Sequence, residues 1–425
     1  MEPRQQVEIQ LGHMCNNRCV FCVSGQRTAM GEAGPMPTEP ILEAIRDARA
    51  RGHAKITLLG GEPTLQPGFL DVVRECARLG FEEVVVFTNG AKTANAARID
   101  ELLATGAPIT WRISIQGATE RTHDRTTRKD GSFARIVRTL EHLAARQQRA
   151  TVNMCVVGSN HEDVDRFAEL LPRHGVVQLH LDLMRPRDAG QRTEDELREM
   201  MPSFRAMVPP MSRAIADLPP DFDVNLGNLP YCVAPHLAPW IHHDGERTET
   251  IAIDGDDRLS RPWNKYLVKR TDKLKTTACA SCAFEPSCSG VFDRYVQFHG
   301  AAELVPIRLL PPASSDPSAL APRRAWMHPA LASALSRLRA AAPFGAMRWL
   351  DQRLAPDRAE LSFEVATAGA VPSARVVFWI DVRDPRQART GYRVEGEVSE
   401  PLREGLLALV TALRTPSPEA TEARA

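Results

Sequence analysis

Three cysteines crowd the stretch "LGHMCNNRCVFCVSGQ": Cys15, Cys19 and Cys22, in a CxxxCxxC spacing with Phe21 before the last. Three thiolates on one short loop suit three corners of a 4Fe-4S cube, whose usual complement is four cysteines. The fourth iron then stays open to a ligand, as a catalytic zinc keeps one position for its substrate. Taken alone, the spacing also suits a zinc loop. A second set lies far along the chain, Cys232 in "NLPYCVAP" and Cys279, Cys282 and Cys288 in "ACASCAFEPSCSG". A distant cysteine plus CxxCxxxxxC makes a complete four, which by count fits tetrahedral zinc or a 4Fe-4S cluster equally.

The chain around these thiols has 425 residues, 43% of them hydrophobic and 25% charged, with 53 basic and 53 acidic side chains and a formal net charge of zero. It is long enough for one large domain and one or two smaller ones. With no global field there is nothing to attract nucleic acid or an anionic membrane, so neither is expected as a partner. "MEPRQQVEIQ" lacks the basic-then-apolar layout of a signal peptide, and no apolar run approaches membrane-span length. A cytoplasmic location follows as an expectation. There nine cysteines point to metal or cluster ligation before disulfides.

The elements that must position the thiols show a clear rhythm. Strand-like runs at 7–13, 55–61, 82–90, 109–117, 151–158 and 178–186 alternate with helical patterns such as "EPILEAIRDARARG" and "HEDVDRFAELLPRHG". Six βα units in a row predict a parallel sheet with helices outside. Strand parity supports this: Ile113 and Ile115 alternate with Ser114 and Gln116, Met154 and Val156 with Asn153 and Cys155, and Leu179, Leu181 and Leu183 with His180, Asp182 and Met184. A strongly curved sheet turns the second set inward, at the C-terminal strand ends where barrel sites are built. The first cysteine loop follows the first strand, at that end.

CxxxCxxC after the first strand, "GGEPTL" (60–65) after the second and the βα series together resemble the radical S-adenosylmethionine enzymes over roughly residues 5–220. The resemblance implies a partial (β/α)6 barrel. It also implies that the open iron chelates the amino and carboxylate groups of S-adenosylmethionine, with Gly60, Gly61 and Glu62 at the amino group. Glycines let a backbone approach closely and a carboxylate pairs with an ammonium. Ser114 and Asn153 match positions that touch ribose or the methionyl group, and Arg128, in "ATERTHDRTTRKDGSF", is a candidate partner for the cofactor carboxylate. Phe21 joins them as part of the motif. An electron donor such as flavodoxin or ferredoxin is implied too.

The second cysteine set resembles the auxiliary-cluster extension, SPASM or its shortened twitch form, that follows many such cores. A full SPASM pattern continues with another cysteine four positions on, but Phe292 stands there, so one auxiliary 4Fe-4S cluster is expected, with a zinc staple as the alternative. Cys76, in "FLDVVRECARLG", has the spacing of a buried helix face and reads as core. Inward parity makes Gln116, Cys155, His180 and Asp182 candidates for acid, base, hydrogen-donor or substrate-contact roles. They equally suit satisfied interior polar groups.

Domains are expected at 1–220 (core) and 221–303 (auxiliary cluster), then a Pro- and Ser-rich linker at 304–325. A small α+β domain at 326–414, with a helix at 327–341, three strands and a closing helix at 400–413, and a disordered tail at 415–425 complete the chain. The expected reaction is hydrogen abstraction by a 5′-deoxyadenosyl radical, with net oxidation or crosslinking of a ribosomally made precursor peptide and the auxiliary cluster as electron acceptor. A small molecule such as an aminosugar or nucleoside is the alternative substrate. A non-catalytic iron-sulfur or zinc scaffold is the alternative class. With the first strand at about residue 7, no leader-binding domain is expected before the core, and a peptide is expected to be gripped by the C-terminal domain or a separate partner.

Overall fold

The apolar runs fold as strands β1 (Gln6–Gln10), β2 (Lys55–Leu59), β3 (Glu83–Thr88), β4 (Ile109–Ser114), β5 (Ala150–Val156) and β6 (Val176–Leu183). Between them stand α1 (Val23–Met30), α2 (Thr38–Ala50), α3 (Phe69–Arg78), α4 (Ala96–Leu103), α5 (Glu120–Thr127), α6 (Ser132–Ala145) and α7 (Phe167–Arg173). This computed structural model describes residues 5–219, 222–243, 248–254, 257–282, 284–285, 288–307, 346–355, 358–366, 374–381, 389–396 and 403. The six strands pair in parallel in sequence order, as six βα units require.

Local chemistry corrects one helical reading and divides a second stretch. Residues 161–175 split into a 3-10 turn, His161–Arg166, and α7. The stretch 193–218 is two helices, α8 (Glu194–Met200) and α9 (Phe204–Asp217). Thr193 and Glu196 start the first with a reciprocal capping box. Pro202 disfavours helical geometry at Met201, and Ser203 restarts the chain by accepting the Ala206 N–H.

The sheet also runs past the expected boundary at 220. Strands β7 (Asp223–Gly227) and β8 (Ile241–His242) continue it beyond β6, while β9 (Thr248–Ile251) pairs parallel with β1 and β10 (Trp263–Asn264) closes that side antiparallel. The physical reason is that a six-stranded sheet leaves two edges of unpaired N–H and C=O groups, and these later strands satisfy them. Next come α10 (Lys265–Arg270), the short pair β11 (Lys273–Leu274) and β12 (Val291–Phe292), and α11 (Asp293–His299). Residues 1–233, 241–275 and 287–304 form one compact unit; 234–240, 276–286 and 305–425 form the other.

In the second unit β13 (Ala346–Ala355), β14 (Arg358–Ala366), β15 (Ala374–Asp381) and β16 (Arg389–Glu395) make an antiparallel meander. The strand β13 was not expected from the sequence. The helix expected at 327–341, the tail, the linker from 308 on and all of the closing helix but Arg403 lie outside the described residues.

In the first unit the helix-facing parity set is the core. Ile113, Ile115, Met154, Val156, Leu179 and Leu181 are buried, as are Phe69, Val72, Val73 and Cys76 on the sheet side of α3. Each such large apolar side chain contributes about 1.5–3 kcal/mol. The opposite parity lines a lumen of about 390 Å³, touched by Gln6 and Glu8 of β1, Arg112 of β4, Thr151 of β5, His180 and Asp182 of β6 and Asn225 of β7. One cavity reached from both β1 and β7 means the parallel sheet curls into an open barrel.

Candidate functional site

The three-thiol loop leaves β1 at the C-terminal end of the barrel and is fastened at several points. The Gly61 N–H donates to Gly12 O and the Glu62 N–H to Met14 O, both at 2.8 Å. Farther along, the Arg18 N–H donates to Thr127 O (2.9 Å) and the Val20 N–H to Thr126 O (3.0 Å), using carbonyls that the C-terminal turn of α5 leaves unpaired. Arg192 donates Nη2 to Val20 O at 3.0 Å. Glycine is demanded at 61: a Cβ there would sit 2.3 Å from His13 O and 2.4 Å from Met14 O. The Gly-Gly pair therefore admits the backbone of the cysteine loop itself.

The donors around the thiols suit anionic sulfur. Cys15 Sγ accepts the Asn17 N–H at 3.4 Å and the Asn89 Nδ2–H at 3.7 Å. Cys22 occupies the N-cap position of α1, where helix N–H groups favour negative charge. Burial nevertheless pushes all three thiols up, Cys15 to about 12, and the neighbouring sulfurs add to the shift at Cys15 and Cys19. Three thiolates on one short loop need positive charge among them to ionise together. Among the described residues no three His, Cys, Asp or Glu side chains close on one point as the ligands of a single ion do. A cube asks for a wider spacing, because its thiolates bind different irons.

Glu62 is anchored by its own carboxylate. Oε1 accepts the Thr64 N–H (3.2 Å), the Thr64 hydroxyl (2.5 Å) and the Thr88 hydroxyl (2.6 Å), and Oε2 accepts the Asn89 N–H at 2.6 Å. Burial raises its pKa against these bonds, which favour the charged form. Asn89, which the sequence reading missed, joins Glu62 to the cysteine loop, since its Nδ2 also donates to Asn16 Oδ1 at 2.8 Å.

On the inward face of β4 to β6 the candidate polar residues form two hydrogen-bonded groups. Gln116 Nε2 donates to Ser114 Oγ (2.7 Å), and Gln116 Oε1 accepts the Cys155 N–H (3.1 Å). Asn153 Nδ2 donates to Asp182 Oδ2 at 3.2 Å. His180 pairs with Gln178 at 2.7 Å, and burial followed by the charge of Arg112 holds its imidazole well below the ordinary range. Burial, then the charges of Asp182 and Cys22, push the Cys155 thiol up. Phe21 is half-buried on that loop.

Arg128 is exposed, ending α5 in the left-handed region at φ 50°. Arg192 is the arginine at the loop: it contacts Val20 O, and its buried Nε has no hydrogen-bond partner among the described residues. Arg112 was missed as well, although it shares the parity of Ser114 and Gln116.

The second cysteine set is spread over the two compact units, Cys232 and Cys288 in the first and Cys279 and Cys282 in the second. Cys288 Sγ accepts the Gly290 N–H at 3.4 Å and lies 3.8 Å from His243 Nε2. Cys279 and Cys282 sit on one turn, with the Cys282 N–H donating to Cys279 O at 2.9 Å.

A sequence profile of the Radical SAM superfamily matches residues 9–171. A probable GTP 3′,8-cyclase of Saccharolobus solfataricus is 30% identical over 209 residues, which are 47% of this chain and 64% of that protein. An AdoMet-dependent heme synthase of Methanosarcina barkeri is 29% identical over 43% of this chain and 51% of its own length. The chain thus spans about two thirds or less of these relatives. Among solved structures, SuiB of Streptococcus suis bound to S-adenosylmethionine aligns at TM-score 0.46 and 15% identity, covering 72% of this chain and 76% of that one. No helix among the described residues is long and apolar enough to cross a membrane. The cysteine loop, the Gly-Gly-Glu turn and strands β2 to β5 of the parallel sheet all lie on the residues, 9–171, that match the Radical SAM superfamily.

Proposed function

We propose that the protein is an enzyme that reductively cleaves S-adenosylmethionine and abstracts hydrogen from a substrate in the barrel lumen. The observation that carries this reading is the clamp between the three-thiol loop and Gly60-Gly61-Glu62, closed by the Gly61 and Glu62 N–H bonds. Cys15, Cys19 and Cys22 would hold the cluster, which would supply the electron for reductive cleavage of the cofactor's carbon-sulfur bond. The chain's own part is positional. Glu62, held by Thr64, Thr88 and Asn89, would fix the turn beside the cofactor's amino group, and Ser114 and Asn153, paired in register at the ends of β4 and β5, would meet its ribose or methionyl part. The helices and the apolar half of each strand keep water from the reacting carbon.

From their spacing, Cys232, Cys279, Cys282 and Cys288 are proposed to hold one auxiliary 4Fe-4S cluster that accepts the substrate's electron. A precursor peptide is the substrate proposed first, presenting one side chain to the lumen. The lumen itself favours a second reading, a compact polar molecule, since about 390 Å³ falls within the range of small-ligand pockets. Anaerobic reconstitution followed by dithionite and S-adenosylmethionine tests the chemistry: the protein should form 5′-deoxyadenosine without added substrate, and the Cys15, Cys19 and Cys22 triple Ala variant should form none. Iron should fall from about eight to about four per chain in that variant. Unchanged iron, or no 5′-deoxyadenosine from the parent protein, refutes the reading.

A further inference from the structure

The lumen carries more positive charge than its own acids can pair. Seven cationic side chains and three carboxylates line it. Two of the acids are already spoken for: Glu8 takes the Lys265 ammonium at 2.7 Å and Glu83 the Lys55 ammonium at 3.1 Å. The third, Asp182, accepts from Asn153. Arg112, reaching in from β4, has no hydrogen bond or ion pair among the described residues, and its Nε is buried without a partner. Lys269 on α10 likewise has no partner among the described residues, and Lys273 on β11 donates only to the uncharged Asn228 (3.0 Å) and Ser289 (2.9 Å).

These lysines also stand against one another. Lys265, Lys269 and Lys273 recur every fourth residue from α10 into β11 and share the cavity. After burial, the charge of Lys265 is the next cause lowering Lys269, and the charge of Lys269 the next lowering Lys273. Clustered like charges in a partly desolvated cavity cost stability, so a fold that keeps them has a counter-charge to gain from outside.

We propose that the lumen binds an anionic group of the substrate, a carboxylate or a phosphate, between Arg112 and the pair Lys269 and Lys273. This deepens the proposed function, on which it rests for calling the lumen the substrate site. The group enters a cavity lined by Arg112 of β4 and Asp182 of β6, so an anion held by Arg112, Lys269 and Lys273 tethers the substrate within the barrel. Arginine suits such a site because its planar fork matches the oxygens of either anion, and the lysines add point charge.

The test uses anaerobically reconstituted, S-adenosylmethionine-loaded protein and isothermal titration calorimetry, with pyrophosphate as the phosphate probe and citrate as the carboxylate probe. One of the two should bind, and the stronger names the group. Binding should weaken tenfold or more in Arg112→Gln and Lys269→Gln and persist in Lys269→Arg. Arg138→Gln, on the exposed face of α6, should leave it unchanged. If melting shows that Lys269→Gln is unfolded, Lys273→Gln replaces it with the same expectation. Failure of the parent protein to bind either probe, or equal loss in Arg138→Gln, overturns the proposal. 5′-Deoxyadenosine formation is read on the same samples. Cofactor cleavage without anion binding sinks only this inference, whereas anion binding without cleavage sinks only the radical reading.

Discussion

Glu62 Oε2 accepts the main-chain N–H of Asn89 at 2.6 Å, so the residue that ends the Gly-Gly-Glu turn is tied to the loop following β3. With two bonds from Thr64 and one from Thr88, all on Oε1, the carboxylate has four internal donors. The acid acts on the site first as a clasp. Glu62→Ala should therefore leave several buried donors unpaired, at about 1–3 kcal/mol each. A fall in unfolding free energy of that size, alongside lost cofactor cleavage, is the expected outcome; unchanged stability would reduce Glu62 to a cofactor contact alone.

Gly61→Ala should fail for a different reason. The new Cβ would overlap the carbonyls of His13 and Met14, at 2.3 and 2.4 Å, and both are backbone atoms that cannot rotate away. The cysteine loop must shift, so reconstituted protein should lose about four irons per chain, the content of one cube. Iron and sulfide analysis checks this, and full iron loading in the variant contradicts it.

Asn89→Leu keeps the N–H to Glu62 but removes the side-chain donors to Cys15 Sγ and Asn16. A hydrogen bond to a ligating sulfur draws density from the cluster and raises its potential, so the variant's first cluster should become harder to reduce, by tens of millivolts. Redox titration followed by electron paramagnetic resonance reads the shift, and an unmoved midpoint removes Asn89 from the cluster's surroundings.

The strands, the parity of their faces and the first cysteine loop were legible because each is a local signal: a period of two, a period near 3.6, a spacing of thiols. What lay beyond the sequence is non-local. β9 joins β1 from about 240 residues away, through a register such as Val7 opposite Glu249, and only an unsatisfied edge calls it there. Pro202 is a local signal too, standing between the end of α8 and the Ser203 cap of α9. Arg112 obeyed the parity rule that exposed Ser114 and Gln116, and the spacing of Lys265, Lys269 and Lys273 was equally visible. Neither means much until the sheet curls and puts them in one lumen.

His123 sets a pH dependence of stability. Burial lowers its pKa to about 4, and its Nδ1 accepts the Gln116 N–H at 2.9 Å, which requires the neutral ring. The folded pKa is depressed below the unfolded value of about 6.5, so the unfolded chain binds the proton first. Stability is full above about pH 6.5 and falls as pH drops toward 4, by about 3 kcal/mol in all. Urea unfolding at pH 7.5, 6 and 5 should show the loss, and His123→Gln, which keeps an acceptor, should flatten it.

The last expectation separates two arginines. Arg128 was the candidate partner for the cofactor carboxylate, but it is exposed at the end of α5 and its charge acts on Glu196. Arg192 touches the cysteine loop at Val20 O and keeps a buried Nε without a partner among the described residues. A buried guanidinium donor left unpaired costs free energy that a carboxylate would recover, and a charge-assisted bond of that kind contributes about 1.5–3 kcal/mol. Arg192→Gln should accordingly raise the KM for S-adenosylmethionine in the uncoupled cleavage assay by roughly tenfold to a hundredfold. Arg128→Gln should change it by less than about threefold, the size of a surface charge effect. The reverse ranking would return the role to Arg128, with Arg192 left to brace the loop.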